Sequence, residues 1–336
     1  MSTNHYIVML DGSSYLPMYQ QMLQDIADRP DVTLLIENAS TCGCKSFLMK
    51  NKVQAITKGH LDFLAYEERL LYDTLEQHCP PNKNVYVVFF NSALWYHPYL
   101  AGTLKRYKKR WKNIKYILFY LDVVDSGVSR AAHYLQKQHI FDLIYSYDLT
   151  DAQNFGFVYW NTLYSKNEQA SHIVADTQLY FCCGVTKARV PVLEKILSQC
   201  RHNHIDCQMD LVCTEPAPSL EQYAPMVTLR QADQLLPYPE VLQRQLHAQC
   251  ILEILQPGRN NLTLRPYEAV VYNRKLLTNS KCILEFPYYD PACMQYFESI
   301  EDIDWDWVKR PCSVDYHYQG NFSPALLLED IARRFV

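Results

Sequence analysis

The feature that most restricts the fold is the order of segments. β-rich runs alternate with helical ones through the first half of the chain, and the alternation restarts in the second. "HYIVMLDG" and "VTLLIEN" are short β-rich runs, the first closing on Asp-Gly. "NVYVVFFNSALW" is nearly unbroken in apolar residues, as expected of a parallel strand covered on both faces. The helical "YLAGTLKRYKKRWKN" leads into another buried strand, "KYILFYLDVVDS". Ser126 or Ser129 can cap the next helix, "RAAHYLQKQHIF", and "DLIYSYD" returns as a strand. This order specifies an open parallel sheet with right-handed crossovers, whose ligands sit beyond the carboxyl ends of the strands. Asp11, Asn91, Asp122 and Asp125 fall there.

Residues 151–175 are rich in Asn, Gln, Ser and Tyr, lack strong periodicity, and read as the crossing between domains. Beyond them "QLYFCCGV" runs as a strand into Gly184, and "TKARVPVLEKILSQCRHNHI" follows as a helix. "DCQMDLVC" and "PMVTLRQ" are strands, "YPEVLQRQLHAQ" a helix and "CILEILQ" a strand. The tail "NFSPALLLEDIARRFV" offers Ser-Pro as cap and first turn of a last helix. With 336 residues, two cores are the default. The expected architecture is α/β: two facing Rossmann-like lobes with a cleft between them and a crossing helix at the carboxyl terminus. The lobes span 1–165 and 166–314, and 315–336 packs back on the first.

Composition excludes several functions. A net charge of -4 gives no general pull toward nucleic acid. No apolar run approaches the roughly 20 residues of a membrane span, and the amino terminus lacks the order of a signal peptide, so a cytoplasmic chain is expected. The 12 cysteines show no second pair at zinc spacing to answer Cys42-Gly-Cys44 or Cys182-Cys183. They read as small buried hydrophobes, and no metal is expected. Only nine glycines are present, and no Gly-x-Gly-x-x-Gly follows a strand, which disfavours a dinucleotide oxidoreductase. The 26 tyrosines suit either core filling or a surface that stacks on sugars or bases.

The most informative stretch is "EILQPGRNNLTLRPYEAVVYNRKLLTN", residues 253–279. Gln256-Pro257-Gly258 makes a tight exit from a strand, and Thr263 can cap a helix starting at Leu264, with Pro266 tolerated in its first turn. A helix start offers unpaired N–H groups and the positive end of its dipole, which suits a diphosphate. Arg265 adds a planar fork for phosphate oxygens. Glu268, three residues on, can accept from Arg265 or from two adjacent ribose hydroxyls. The plainer reading is a capping box and a solvated arginine. Gly184 with Lys187 and Arg189 places further cations at the start of another helix.

The block "LEILQPGRNNLTLRPYEAVVYNRKLLTN", with "FPYYD" after it, resembles the carboxy-terminal lobe of bacterial glycosyltransferases of the GT-B fold. The likeness is to members from capsule and lipopolysaccharide gene clusters. "DLIYSYDLTDAQNFGFVYWNTLYS" resembles the end of their first lobe and "LYFCCGVTKAR" the opening of their second, over roughly residues 85 to 310. The resemblance implies a sugar donor held by the second lobe and an acceptor by the first, without a cofactor. Glu268 would hold the ribose, with Thr263, Arg265 and Lys187 near the diphosphate; Gly184 and Gln256 complete the donor set. Many retaining members carry a glutamate eight positions before Glu268, where this chain has Asn260.

Sugar transfer by inversion needs a base for the acceptor hydroxyl. Asp11 and Asp125 are the best-placed carboxylates of the first lobe, with His97 and His60 as imidazole candidates; for each the alternative is a loop cap. Asp304-Trp305-Asp306 mimics an Asp-x-Asp metal motif, yet stands at a helix start, where acids suit the dipole. "KRYKKRWKNIK", residues 105–115, holds seven cations and no acid. Through Lys105, Lys108, Lys109 and Lys112 it can rest on anionic lipid at the inner face of the cell membrane and meet a lipid-linked glycan acceptor, or it is a solvated helix face. A nucleotide-sugar epimerase and a non-catalytic degenerate transferase in a glycan assembly complex are the alternatives on the same scaffold.

Overall fold

The computed structural model describes residues 3–11, 16–37, 77–94, 101–127, 129–213, 215–231, 233–255, 261–311 and 313–335. The chain forms two compact units, Met1–Ser165 with Phe322–Val336, and Lys166–Asn321. Each is built on a six-stranded parallel sheet, so the expected α/β architecture of two Rossmann-like units is the one observed.

The first unit contains β1 (Asn4–Asp11), β2 (Val32–Glu37), β3 (Asn84–Phe90), β4 (Ile114–Tyr120), β5 (Leu143–Ser146) and β6 (Val158–Tyr159), in the order β2-β1-β3-β4-β5-β6. β3 and β4 are buried along nearly their whole length, which is why their apolar runs do not alternate. β3 stops at Phe90 because Asn91 turns the chain: its side chain accepts from Leu121 N at 2.8 Å and donates to Ser129 Oγ at 3.0 Å. Ser129 stands before the helix Arg130–Lys137 without capping it; its hydroxyl is held by Asn91, and its amide donates to Ser126 Oγ at 3.2 Å.

The polar stretch after residue 150 is not all crossing. Asp148 caps a helix, Leu149–Phe155, by accepting from Asp151 N, and Gly156 closes it at φ 68°. Those polar residues serve the ends of a helix in the first unit, where capping side chains replace missing backbone partners. The closing helix, Pro324–Arg334, also belongs to this unit: Tyr145 OH donates to Asp330 at 2.7 Å, and Ser323 caps the helix while donating to Asp25 at 2.6 Å. Residues just before it stay with the second unit, where Tyr316 OH donates to Arg274 O at 3.1 Å.

The second unit contains β7 (Thr177–Val185), β8 (Cys207–Cys213), β9 (Val227–Gln231), β10 (Ala248–Glu253), β11 (Lys275–Thr278) and β12 (Met294–Tyr296), in the order β12-β11-β10-β7-β8-β9. Its core gathers Leu179, Leu193, Ile196, Leu211, Leu252 and Leu277, all at zero exposure.

Candidate functional site

In an open parallel sheet the ligand crevice lies beyond the carboxyl ends of the strands, where the strand order reverses. In the second unit that place is between β7 and β10. Arg189 ties the two strand ends together, donating from Nη1 to Gly184 O at 2.9 Å and from Nη2 to Ile254 O at 3.0 Å. Its buried Nε has no partner among the described residues. Gly184 itself is exposed, and a Cβ added there would meet nothing within 4 Å. Lys187 is 87% exposed and pairs with Glu215 at 3.0 Å. Burial pushes the Cys183 thiol beside Arg189 up to about 12, so it stays protonated.

The helix Leu264–Val271 follows β10. Thr263 caps it as expected, accepting from Arg265 N at 3.1 Å, and the same hydroxyl donates to Glu253. Thr278, at the end of β11, donates to the other oxygen of Glu253. Burial pushes the Glu253 carboxyl up, and the two hydroxyls work against that rise without cancelling it. Gln256 lies outside the described residues.

Arg265 and Glu268 meet on the face of this helix. Glu268 has zero exposure and Arg265 keeps 19%. The carboxylate takes three donors: Arg265 Nη1, Tyr238 OH, and Gln245 Nε2 at 2.7 Å. Gln245 Oε1 in turn accepts from Arg265 Nη1 at 2.6 Å. Glu268 is thus neither half of a capping box nor open to solvent; it anchors the arginine. Burial opposes the guanidinium's charge, and the adjacent Glu268 more than offsets it, so Arg265 is held protonated above its ordinary range. Among the described residues its Nε and Nη2 take no hydrogen bond. Sequence reasoning missed Tyr238 and Gln245, whose seven-residue spacing on one helix is the only local signal of a shared face.

A second network continues on the same sheet. Asp210 on β8 accepts from Tyr180 OH at 2.9 Å, from Arg230 at 2.8 Å and from Arg244 at 3.3 Å. Nothing in the local pattern of "DCQMDLVC" announced a buried carboxylate on a central strand.

In the first unit the order reverses between β1 and β3. Asp11 is the last residue of β1; its side chain lies outside the described residues, as do His60 and His97 entirely. Opposite stand Asn91 and Ser92, the latter bonded to Tyr19 OH at 2.8 Å. Asp125 is exposed in the turn after β4, one strand further from the reversal. Beside it Val124 N donates to Asp151 at 2.7 Å; burial and the neighbouring acids Asp148, Asp125 and Asp122 push the Asp151 carboxyl up.

The basic segment divides by orientation. Lys105, Lys109 and Lys112 are exposed, while Lys108 is committed to Asp142 and Ile140 O, both at 2.8 Å. Tyr107 is buried and stacks on Trp111 at 5.1 Å, so those rings serve the core. Asp304 caps the helix Trp305–Lys309 through Trp307 N, and Asp306 pairs with Lys309 at 2.7 Å; both acids of the metal-motif mimic have helix duties. Among the described residues no helix is long and apolar enough to cross a membrane.

Two parallel α/β units with the last helix returned to the first define the GT-B glycosyltransferase fold. The glycosyltransferase from Rickettsia africae ESF-5 matches with a TM-score of 0.54 at 10% identity, over 99% of this chain and 98% of that one. Anabaena HepE, solved with UDP and glucose, matches with a TM-score of 0.55 at 8% identity, over 99% of each chain. Staphylococcus aureus TarM, solved with UDP, gives 0.43 at 11% identity over 70% of this chain, which spans 49% of that protein's length. No protein-family model and no curated protein sequence matches the chain.

Proposed function

We propose that this chain is a nucleotide-sugar-dependent glycosyltransferase that moves a hexose-like unit onto a surface glycan of the capsule or lipopolysaccharide type. The observation that carries the reading is Arg265, a guanidinium anchored through one nitrogen, in the first turn of a helix that opens at the carboxyl end of β10. The fold it stands on is shared with a protein solved with UDP and glucose, which supports a nucleotide-sugar as the donor.

In this reading Thr263, Arg265 and the helix start receive the diphosphate, with Gly184, Lys187 and Gln256 completing the donor set, while Arg189 is committed to Gly184 O and Ile254 O. Glu268 acts through Arg265, its buried carboxylate already filled by Arg265, Tyr238 and Gln245. The acceptor oxygen attacks the anomeric carbon as the bond from that carbon to the phosphate oxygen breaks. The departing diphosphate's charge is met by the arginine and the helix dipole rather than by a metal. The acceptor's proton passes to a base of the first unit. Asp11 is favoured over Asp125 because β1 flanks the order reversal, and His97 is the imidazole alternative. Lys105, Lys109 and Lys112 would bring the protein to anionic lipid carrying the acceptor; Lys108 is already occupied.

A thermal-shift screen against nucleoside diphosphates tests the donor, since a ligand binding only the native state raises its stability by about 2.7 kcal/mol at a hundred times Kd. The responding base names the donor class, and no response from any of them ends the proposal. Incubation with the matching sugar nucleotides should give slow hydrolysis; isomerisation instead would mean an epimerase.

A further inference from the structure

We infer that Gln245 and Tyr238 are positioning residues that hold Arg265 ready for the donor's diphosphate, an inference that rests on the donor reading above. Both come from one face of the helix Tyr238–Leu246, two turns apart. Gln245 is 1% exposed, and only one orientation of its amide satisfies both neighbours. Its oxygen must face the arginine, which only donates, and its nitrogen the carboxylate, which only accepts. Glu268 is therefore fixed from two sides, by Tyr238 at Oε1 and by Gln245 at Oε2.

Both Glu268 and Gln245 grip the same nitrogen of Arg265. An arginine anchored through Nη1 alone keeps its plane and leaves the Nε–Nη2 edge as a fork, the shape that matches two oxygens of a phosphate. Holding that fork in place beforehand removes side-chain freedom that binding would otherwise have to remove. A glutamate at position 245 would set a second carboxylate against Glu268 and undo the arrangement.

The test is calorimetric binding to the full chain of the tightest of UDP, GDP, CDP and ADP, beside its parent nucleoside. Gln245→Met should weaken the diphosphate about tenfold and the nucleoside by less than about twofold. In an Arg265→Met background the same change should add no further loss, because the effect passes through the arginine. Equal losses for nucleoside and diphosphate, or additive losses in the double variant, would make Gln245 merely structural and overturn the inference. If Arg265→Met weakens the diphosphate while Gln245→Met does not, the donor site stands and the positioning role falls. If Arg265→Met has no effect, the donor reading itself fails. Should Gln245→Met not fold, Tyr238→Phe removes a single hydroxyl and should weaken the diphosphate alone in the same way. Independently of any ligand, the Arg265 Nε–H resonance should be ordered in the wild type and averaged in either variant; an unchanged resonance refutes the positioning role.

Discussion

The two sheets share strand number and direction and differ in what they place at their carboxyl ends. Among the described strands the first reverses its order between β1 and β3, where Asn91, Ser92, Ser129 and Tyr19 bond chiefly to one another. The second reverses between β7 and β10, where Arg189, Glu253, Arg265 and Glu268 gather. The second unit buries Asp210, Glu253, Glu268 and Lys275, whereas the buried charge described in the first is Asp330, brought by the closing helix. Neutral side chains suffice to pin two loops. Buried charges cost several kcal/mol each to desolvate and persist only with fixed partners, and once fixed they create a preset field. Of these charges Glu253 and Glu268, with Arg265, lie at or after the carboxyl end of β10, the end suited to an ionic ligand, whereas Lys275 opens β11 at its amino end.

The comparison breaks first if the buried charges are not energetically dominant. Lys275 is 1% exposed and donates to the carbonyls of Trp307, Val308 and Arg310 at 2.6, 2.9 and 2.9 Å. Lys275→Met should cost about 3–5 kcal/mol in chemical denaturation and strip exchange protection from Trp305–Lys309. A loss no larger than that of a surface change would refute it. Glu268→Gln should cost about 2–3 kcal/mol and weaken the nucleoside diphosphate by about tenfold or more in calorimetry. Asn91→Ala, its neutral counterpart, should cost about 1–2 kcal/mol and leave that affinity unchanged.

Acid sharpens the contrast, because the two carboxyls move in opposite directions. Burial would raise Asp330, but the bonds from Arg334 and Tyr145 outweigh it and hold the carboxyl low. Its contribution is complete above the ordinary aspartate range and is lost as pH falls through the lowered value. Glu253 is raised, so the native state binds its proton more tightly and its ionisation lowers stability as pH climbs through the interval up to the raised value. Asp330→Asn should flatten the acid side of a denaturation profile; an unchanged acid limb would count against the assignment. The smallest effect is expected from charge reversal at Lys105, Lys109 and Lys112. Stability should shift by less than about 0.5 kcal/mol, while partitioning to anionic vesicles disappears.

Local chemistry was legible in advance. Thr263 as cap, Ser323-Pro324 as a helix start and the acids before Trp307 all act within a few residues of themselves. Partners distant in sequence were not. Tyr238 and Gln245 stand 30 and 23 residues from Glu268, and Arg189 reaches a carbonyl 65 residues away. Lys108 looked like a surface cation until folding set it against Asp142.

Periodicity and capping residues by themselves determined two parallel α/β units and put an arginine in the first turn of the helix after β10, because strand burial and helix starts depend on near neighbours. Which side of that arginine is anchored and which is left open was decided only in three dimensions. Side chains from separate helices must converge before a buried carboxylate finds its donors, and no local spacing encodes that convergence.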